Sequence, residues 1–166
     1  MFLDDLFPDQ ITDSVYNLDW EKLSEKYKGV MFDIDNTLVP HGASADERAV
    51  LLFACLKKLG MRTMLVSNNK EKRVRPFAEH LHSEYVYKAG KPKLHGYKEA
   101  LRRLGTEPAY TLFVGDQVFT DIWGANRVGM HTILTEPVDL STDEIQIVVK
   151  RWFEWPFKKE KGVKAR

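Results

Sequence analysis

The amino-acid sequence predicts an α/β fold, a three-layer arrangement in which a doubly wound parallel sheet lies between two layers of helices. Predicted strands alternate with predicted helices, and the strands are short, nearly continuous apolar runs. Strands that are covered by helices on both faces have this composition, and the alternation favours parallel connections. At 166 residues, with 43% hydrophobic and 30% charged residues, the chain suits one domain of this kind.

Apolar periodicity, together with glycine, proline and capping residues, sets the boundaries of the elements. Strands are predicted at residues 29–34, 62–66, 84–87, 110–114 and 130–134. Helices are predicted at residues 14–27, 45–59, 94–104, 121–127 and 141–153, and one more helix includes residues 74–81. Ser44, followed by Glu47 three residues later, is predicted to cap the second helix. Cys55 lies among the apolar residues of that helix and is predicted to be a packed core thiol.

Three segments of different composition divide the chain. Residues 1–27 are a lead-in with a short helix, residues 28–150 are the predicted core, and residues 151–166 are a basic, aromatic tail. From Lys150 to Arg166, seven Lys or Arg stand against two Glu, and four Trp or Phe are interleaved with them. An anionic membrane surface attracts such a segment, but the aromatic side chains can equally pack on the domain. Both alternatives remain open.

Composition also bounds the partners and the location. A formal net charge of +1 gives no reason to expect nucleic-acid binding. A lone cysteine fits a cytoplasmic protein, the first residues are acidic where a signal peptide would be basic, and no apolar run reaches the length of a membrane span. We expect a cytoplasmic protein, with peripheral membrane contact through residues 150–166 as one alternative. The oligomeric state is not indicated.

The segment from Val30 to Val39 carries the strongest chemical signal, because it places Asp33 and Asp35 at the end of an apolar strand. Side chains at positions i and i+2 of a strand point to the same face. Two carboxylates so close together repel each other unless a proton or a cation lies between them. A hard divalent cation such as Mg2+ prefers oxygen ligands of this type. An acidic turn with no catalytic or metal-binding role has the same pattern. The pair of aspartates alone therefore does not distinguish a functional site from such a turn.

Each later strand that feeds the same sheet edge is also followed by a polar side chain. Thr37 follows the first strand, Ser67 the second, Lys91 the third, and Asp116 and Asp121 the fourth. Ligands of doubly wound sheets bind outside the carboxyl ends of the strands. Carboxylates can hold a metal and supply a nucleophile, whereas a hydroxyl and a lysine can hold phosphoryl oxygens. Taken singly, Ser67 could be a helix cap, Asp116 part of a turn and Lys91 a surface lysine. The order in which all of these residues follow the strands predicts a phosphoryl-transfer site.

Four segments resemble the four motifs of the haloacid dehalogenase (HAD) superfamily, in the same order. They are Asp33–Thr37, Ser67–Asn69, Lys91–Pro92 and Gly115–Asp121. The runs Ser-Asn-Asn-x-x-x-Arg-Val and Gly-Asp-Gln-x-x-Thr-Asp are similar to subfamily IIIA, and within it to the YqeG and phosphatidylglycerophosphatase group. The resemblance covers roughly residues 28–135. It implies a HAD-like Rossmannoid fold and a Mg2+-dependent phosphatase.

The resemblance assigns chemical roles to three of the aspartates. Asp33 is the nucleophile that forms an aspartyl-phosphate, and Asp35 is the general acid and base. Asp33, Asp35 and Asp116 bind the Mg2+ ion, Asp35 through its backbone carbonyl. A carboxylate at position 35 favours a phosphatase over a haloacid dehalogenase or a phosphomutase, although this residue alone does not exclude a mutase.

The remaining motif residues are assigned to the phosphate group or to support of the site. Ser67, Asn68 and Lys91 are predicted to bind phosphoryl oxygens, and Lys91 offsets charge in the transition state. Thr37 is a supporting residue. Asp121 is also a supporting residue, either in the outer shell of the metal or beside the lysine.

The segments between the motifs are too short for a cap domain. Residues 38–66 and 68–90 each accommodate little more than one helix and one strand. An open site suits large or membrane-held phosphate esters, because small substrates usually need closure to exclude water. His41 is either an entrance residue or an ordinary loop histidine. The predicted substrate by resemblance is phosphatidylglycerophosphate, a phospholipid, and the alternatives are a phosphoprotein, a sugar phosphate or a nucleotide.

A non-enzymatic phosphoryl acceptor, such as a response-regulator receiver, is the competing class. A receiver also combines clustered aspartates, a hydroxyl and a Lys-Pro pair on a parallel sheet. In a receiver, the acceptor aspartate precedes the hydroxyl and the Lys-Pro pair comes last, whereas here Lys91 precedes Asp116. The order therefore favours the phosphatase.

Overall fold

A six-stranded parallel sheet forms the centre of the computed structural model, which describes residues 2–142 and 145–159. The strands are β1 (Gln10–Thr12), β2 (Gly29–Phe32), β3 (Arg62–Val66), β4 (Glu84–Val86), β5 (Thr111–Gly115) and β6 (His131–Thr135). They lie in the order β1-β6-β5-β2-β3-β4, and every neighbouring pair is parallel. The chain proceeds from β2 to one side and returns to build the other side, which confirms the doubly wound prediction.

Helices cover both faces of this sheet. They are α1 (Trp20–Lys26), α2 (Glu47–Lys58), α3 (Glu71–Leu81), α4 (Leu94–Leu104), α5 (Trp123–Val128) and α6 (Ile145–Lys159). The first three helices share one hydrophobic core with the sheet, and α4 and α5 share another. Val30 and Phe32 of β2 belong to the first core, whereas Met31 belongs to the second. This alternation follows the two-residue period of a strand, and it explains why β2 is apolar at every position.

The first 27 residues contribute more to the sheet than the sequence indicates. A helix was expected at residues 14–27, but the structure has the edge strand β1, a 3-10 turn at Val15–Asn17 and the shorter helix α1. Strand β1 pairs with β6, and Gln10 lies opposite Ile133. A strand of three residues without an apolar run carries no periodic signal, so the sequence could not reveal it.

Two local predictions about α2 are wrong. The N-cap is Asp46, whose side chain accepts a hydrogen bond from the Ala49 amide at 2.9 Å, and not Ser44. Aspartate and serine are both favoured at this position, so composition alone cannot choose between them. Cys55 is exposed, because it lies on the solvent side of the helix while its neighbour Leu56 is buried.

Helix α6 crosses the boundary that the sequence places at residue 150, and it continues beyond the predicted end at residue 153. Phe153 and Trp155 are exposed on this helix. Phe157 makes edge contacts with Phe7 and Phe119, at ring-centroid distances of 5.4 and 6.1 Å. Residues 160–166 of the predicted tail lie outside the described residues. Among the helices that the structure describes, none combines the length and the apolar character needed to cross a bilayer.

Candidate active site

The carboxyl ends of β2, β3 and β5 meet beside the point where the strand order reverses. A cavity of about 180 Å3 opens there. Six of the residues that the sequence singled out line it: Asp33, Asp35, His41, Ser67, Asn68 and Lys91. Segments 38–66 and 68–90 contain only α2 with β3 and α3 with β4, so no cap domain covers the opening.

Three carboxylates, those of Asp33, Asp116 and Asp121, converge beneath this cavity. One oxygen of each lies within 4.8 Å of the others. Burial raises the pKa of Asp33 well above its usual value, and it also raises the pKa of Asp116. Neighbouring carboxylates raise both pKa values further, whereas Lys91 and Arg151 oppose the shift. The donor set consists of hard oxygens that repel each other, so these residues fit a divalent cation.

Lys91 is the buried cation of the site. Its Nζ atom donates to Asp33 Oδ1 at 2.8 Å and to Asp121 Oδ1 at 2.7 Å. Burial acts to lower the pKa of Lys91, but the carboxylates of Asp121 and Asp33 raise it above its usual value. The Asn68 side chain holds the backbone of Lys91 through two hydrogen bonds, of 2.7 and 3.1 Å. Asn68 therefore positions the lysine, and its role in binding phosphate stays a prediction.

A single π-helical turn, Val118–Ile122, carries Asp121 into the group of carboxylates. The Gln117 amide donates to Asp121 Oδ2 at 3.1 Å. A Cβ atom on Gly115 would lie 2.4 Å from the same oxygen, so this close approach requires glycine. The sequence predicts an ordinary helix that begins at residue 121. π-helical turns are rare and occur frequently at functional sites.

The Asp35 carboxylate has different partners and is not a member of that group. Its Oδ1 atom accepts from Arg73 Nη2 and from the Gly42 amide, both at 2.8 Å, and its Oδ2 atom accepts from Asn69 Nδ2 at 2.6 Å. β2 ends at Phe32, so both aspartates of the first motif lie in the loop rather than on the strand. The two carboxylates therefore have separate surroundings. Metal binding by the carbonyl of residue 35 stays a prediction.

Two buried hydroxyl groups, those of Thr37 and Ser67, also lie at the site. The Thr37 hydroxyl lies 3.2 Å from Asp116 Oδ1 and 3.4 Å from Asp33 Oδ2. Ser67 is almost fully buried, and its hydroxyl oxygen accepts from the Asn69 amide at 3.1 Å. Phosphoryl binding by Ser67 and the supporting role of Thr37 remain predictions.

Helix α6 supplies contacts that sequence reasoning missed. Arg151 Nη2 lies 2.5 Å from Asp116 Oδ2, and its Nη1 donates to the Asp116 carbonyl at 3.2 Å. Glu154, which is fully buried, accepts from the Phe119 amide at 3.0 Å. No local signal marks Arg151, since its partner lies far away in sequence. Arg73, in contrast, stands inside the run Ser-Asn-Asn-x-x-x-Arg, and that run could have indicated it.

Three converging carboxylates of metal-binding type and a buried lysine at this sheet edge form a site that fits a phosphatase. A family model described as haloacid dehalogenase-like hydrolase matches residues 44–129. The chain belongs to this family and is a phosphomonoester hydrolase, as the sequence predicts.

Individual relatives agree with this assignment. The chain is 38% identical over 133 residues to "Probable phosphatase YqeG" of Bacillus subtilis, and the match covers 79% of this chain and 77% of the relative. It is 29% identical over 151 residues to "Phosphatidylglycerophosphate phosphatase 1, chloroplastic" of Chlamydomonas reinhardtii, covering 84% of this chain and 56% of that protein. The chain thus spans little more than half of the algal phosphatase.

A solved structure shows the same fold. The crystal structure of 3-deoxy-D-manno-octulosonate 8-phosphate phosphatase from Yersinia pestis matches with a TM-score of 0.56 at 15% sequence identity. The match covers 76% of this chain and 83% of that chain. At this identity the similarity concerns the fold alone, and it confirms the α/β Rossmannoid architecture.

Proposed function

We propose that this phosphatase hydrolyses its ester through an aspartyl-phosphate formed at Asp33, that it depends on Mg2+, and that its substrate is phosphatidylglycerophosphate. The observation that carries the mechanism is the placement of Asp33. Its carboxylate lines the cavity, contacts Lys91 at 2.8 Å and belongs to the group of three carboxylates. The proposed nucleophile therefore lies beside a lysine that can contact the phosphoryl oxygens and beside two further carboxylates that can bind a metal ion.

Asp33 and Asp35 divide the chemistry between them. An Asp33 oxygen attacks phosphorus, and the bond from phosphorus to the ester oxygen breaks. Asp35 gives its proton to that leaving oxygen, then takes a proton from the water that attacks the aspartyl-phosphate. Hydrolysis releases inorganic phosphate and restores the Asp33 carboxylate. Arg73 and Asn69 fix the orientation of the Asp35 carboxyl group throughout.

The remaining residues offset charge. A divalent cation held by Asp33, Asp116 and Asp121 would screen the repulsion between the nucleophile and the anionic phosphoryl group. Mg2+ is proposed because all of these ligand atoms are carboxylate oxygens. Lys91 lies beside the nucleophile and is placed to contact the phosphoryl oxygens as charge develops on them.

A phospholipid is the proposed substrate for two reasons. The algal relative is named for phosphatidylglycerophosphate, and the absence of a cap domain over the fully described segments 38–66 and 68–90 leaves the cavity open to a large ester. Contact of the basic, aromatic residues 150–166 with an anionic membrane surface is part of the same proposal. A cytoplasmic enzyme that binds the membrane peripherally fits this reading. A phosphoprotein, a sugar phosphate and a nucleotide are the alternative substrates.

Phosphate release from purified protein tests the proposal. Phosphatidylglycerophosphate in mixed micelles and a panel of soluble phosphate esters are compared, each with Mg2+ and with EDTA. Asp33→Asn should lower activity at least about a thousandfold, because it removes the nucleophile. Asp13→Asn is the matched control, since Asp13 is an exposed residue outside the cavity.

Three results would contradict separate parts of the proposal. Activity that survives Asp33→Asn would refute the nucleophile. Full activity in EDTA would refute the dependence on a divalent cation. Equal turnover of lipid micelles and small soluble esters would remove the preference for a phospholipid.

A further inference from the structure

We propose that Lys150 of α6 is a specificity residue that binds a second anionic group of the substrate. The inference rests on the proposed phosphatase function and names the class of ester that the site selects. That class is a phosphomonoester whose short carbon chain also carries a phosphodiester.

The cavity has two facing walls. One wall comes from Ser67 and the two asparagines that follow β3, and the other comes from Gln117 after β5 together with Ile147 and Lys150 of α6. β2 lies between β3 and β5, so Asp33 stands between these walls. The predicted phosphoryl-binding hydroxyl belongs to the first wall. Lys150 belongs to the second wall, where it can meet a different part of the ester.

Buried contacts of its own helix fix the place of Lys150. Arg151, the next residue, pairs with Asp116, and Glu154 bonds to the backbone at Phe119. Residues three and four positions apart lie on one side of a helix. Ile147 and Lys150 therefore point toward the cavity from the side of α6 that these contacts hold against the domain.

The distribution of charge leaves Lys150 available for a ligand. Lys91, Arg73 and Arg151 each donate to carboxylates of the site at 2.8 Å or less. Lys150 is exposed, and no ion pair joins it to another residue within the ranges 2–142 and 145–159. An additional anion that enters the cavity would be attracted to this ammonium group. Ile147, one turn earlier, offers apolar contact to the carbon atoms between the two anions.

Two esters that differ in the second anion test this inference. Glycerol 3-phosphate carries the phosphomonoester alone, whereas glycerophosphoglycerophosphate, the deacylated headgroup, also carries a phosphodiester. The measured quantity is the ratio of kcat/KM for glycerophosphoglycerophosphate to kcat/KM for glycerol 3-phosphate. Lys150→Met should lower this ratio about fivefold, as expected for an exposed ion pair, through a higher KM for the phosphodiester-bearing ester. Lys150→Arg should keep the ratio, because it keeps the charge.

Two controls make the result specific to position 150. Lys98→Met replaces an exposed lysine of α4 that does not line the cavity, and it should leave the ratio unchanged. Added salt should lower the ratio for the wild-type enzyme, because it screens the exposed charge. The same salt should have much less effect on Lys150→Met.

The inference is overturned if Lys150→Met leaves the ratio unchanged. This includes the case in which the variant lowers kcat/KM for both esters by the same factor, because Lys150 would then act on the transferred phosphoryl group. If the wild-type enzyme hydrolyses neither ester, nor any ester of the panel, the proposed function fails by itself. Calorimetric binding of glycerophosphoglycerophosphate to Asp33→Asn, with and without Lys150→Met, then decides the inference alone, and equal Kd values would refute it.

Discussion

Replacing Arg151 with methionine should destabilise the metal-free protein far more than an ordinary surface substitution. Arg151 Nη2 lies 2.5 Å from Asp116 Oδ2, and the two side chains are 9% and 0% exposed. Removing one partner of a buried ion pair costs about 3–5 kcal/mol, because the remaining charge is left buried without compensation. Asp116 can reduce the cost by taking up a proton, so we expect about 3 kcal/mol. For a chain of this size, that loss lowers Tm by about 6–12 °C.

Arg102→Met is the matched control for this substitution. Arg102 Nη2 lies 2.7 Å from Glu99 Oε1 in α4, but the two side chains are 71% and 45% exposed. Solvent screens such a pair, so its loss should be close to the error of the measurement. Methionine is a good helix former in both positions. Thermal and urea unfolding therefore compare the same chemical change at a buried and at an exposed site.

Binding of Mg2+ extends this test to the cluster of the Asp33, Asp116 and Asp121 carboxylates. Removing the positive charge that pairs with Asp116 should raise Mg2+ affinity about tenfold, because like charges repel and Arg151 competes with the ion for this carboxylate. Mg2+ should therefore stabilise Arg151→Met more than it stabilises the wild-type protein, as measured by calorimetry and by unfolding with and without the ion. Equal losses of stability in the Arg151 and Arg102 variants would refute the buried ion pair. Equal stabilisation of Arg151→Met and the wild-type protein by Mg2+ would refute the proposed charge balance.

Three further substitutions test the site. Gly115→Ala places a Cβ atom 2.4 Å from a carboxylate oxygen of the group, so we expect a loss of about 1–3 kcal/mol in urea unfolding and reduced phosphatase activity. Arg73→Met frees the Asp35 carboxyl group, so kcat should fall at least about tenfold with little change in KM, whereas Lys72→Met, at an exposed neighbour, should change neither. As pH rises above about 4, the metal-free wild-type protein should lose stability to urea relative to Asp33→Asn, because burial raises the pKa of Asp33 and the unfolded chain then binds fewer protons at this position; below about pH 3, where the carboxyl group is protonated in both the folded and unfolded states, this pH-dependent difference should vanish.

Each of these expectations has a contradicting result. Full activity of Gly115→Ala would show that the close approach of the carboxylate is not needed. An effect of Arg73→Met on KM alone would indicate substrate binding rather than positioning of the general acid. A stability difference for Asp33→Asn that does not change with pH would show that ionisation is not its cause.

The sheet and the edge that carries the site could be predicted because both depend on local sequence. Buried strands are apolar runs, and Asp33, Ser67, Lys91 and Asp116 each follow such a run along the chain. Strand ends on one edge of a parallel sheet must lie close together, so the order of these residues was sufficient to predict that they meet. Family membership, shown by comparison with known proteins, agrees with that order.

The contacts made by helices could not be predicted in the same way. Arg73 and Arg151 reach the site as single side chains, and their partners depend on how α3 and α6 pack. The N-cap of α2 was misplaced because serine and aspartate both favour that position and stand two residues apart. Asp121 was expected in an ordinary helix, because a π-helical turn has no known compositional signal in this segment.

That π-helical turn makes the number of residues between Gly115 and Trp123 as important as their identity. A π-helical turn contains one residue more than the corresponding α-helical turn. Deleting a single residue from Val118–Thr120 would allow the segment to continue as a regular α-helix, and the side chains on the two sides of the deletion would then be rotated by about 100° relative to each other. Asp121 would turn away from Lys91 although every motif residue was still present. In this segment a change of length is therefore expected to be as damaging as the loss of the Asp121 carboxylate itself.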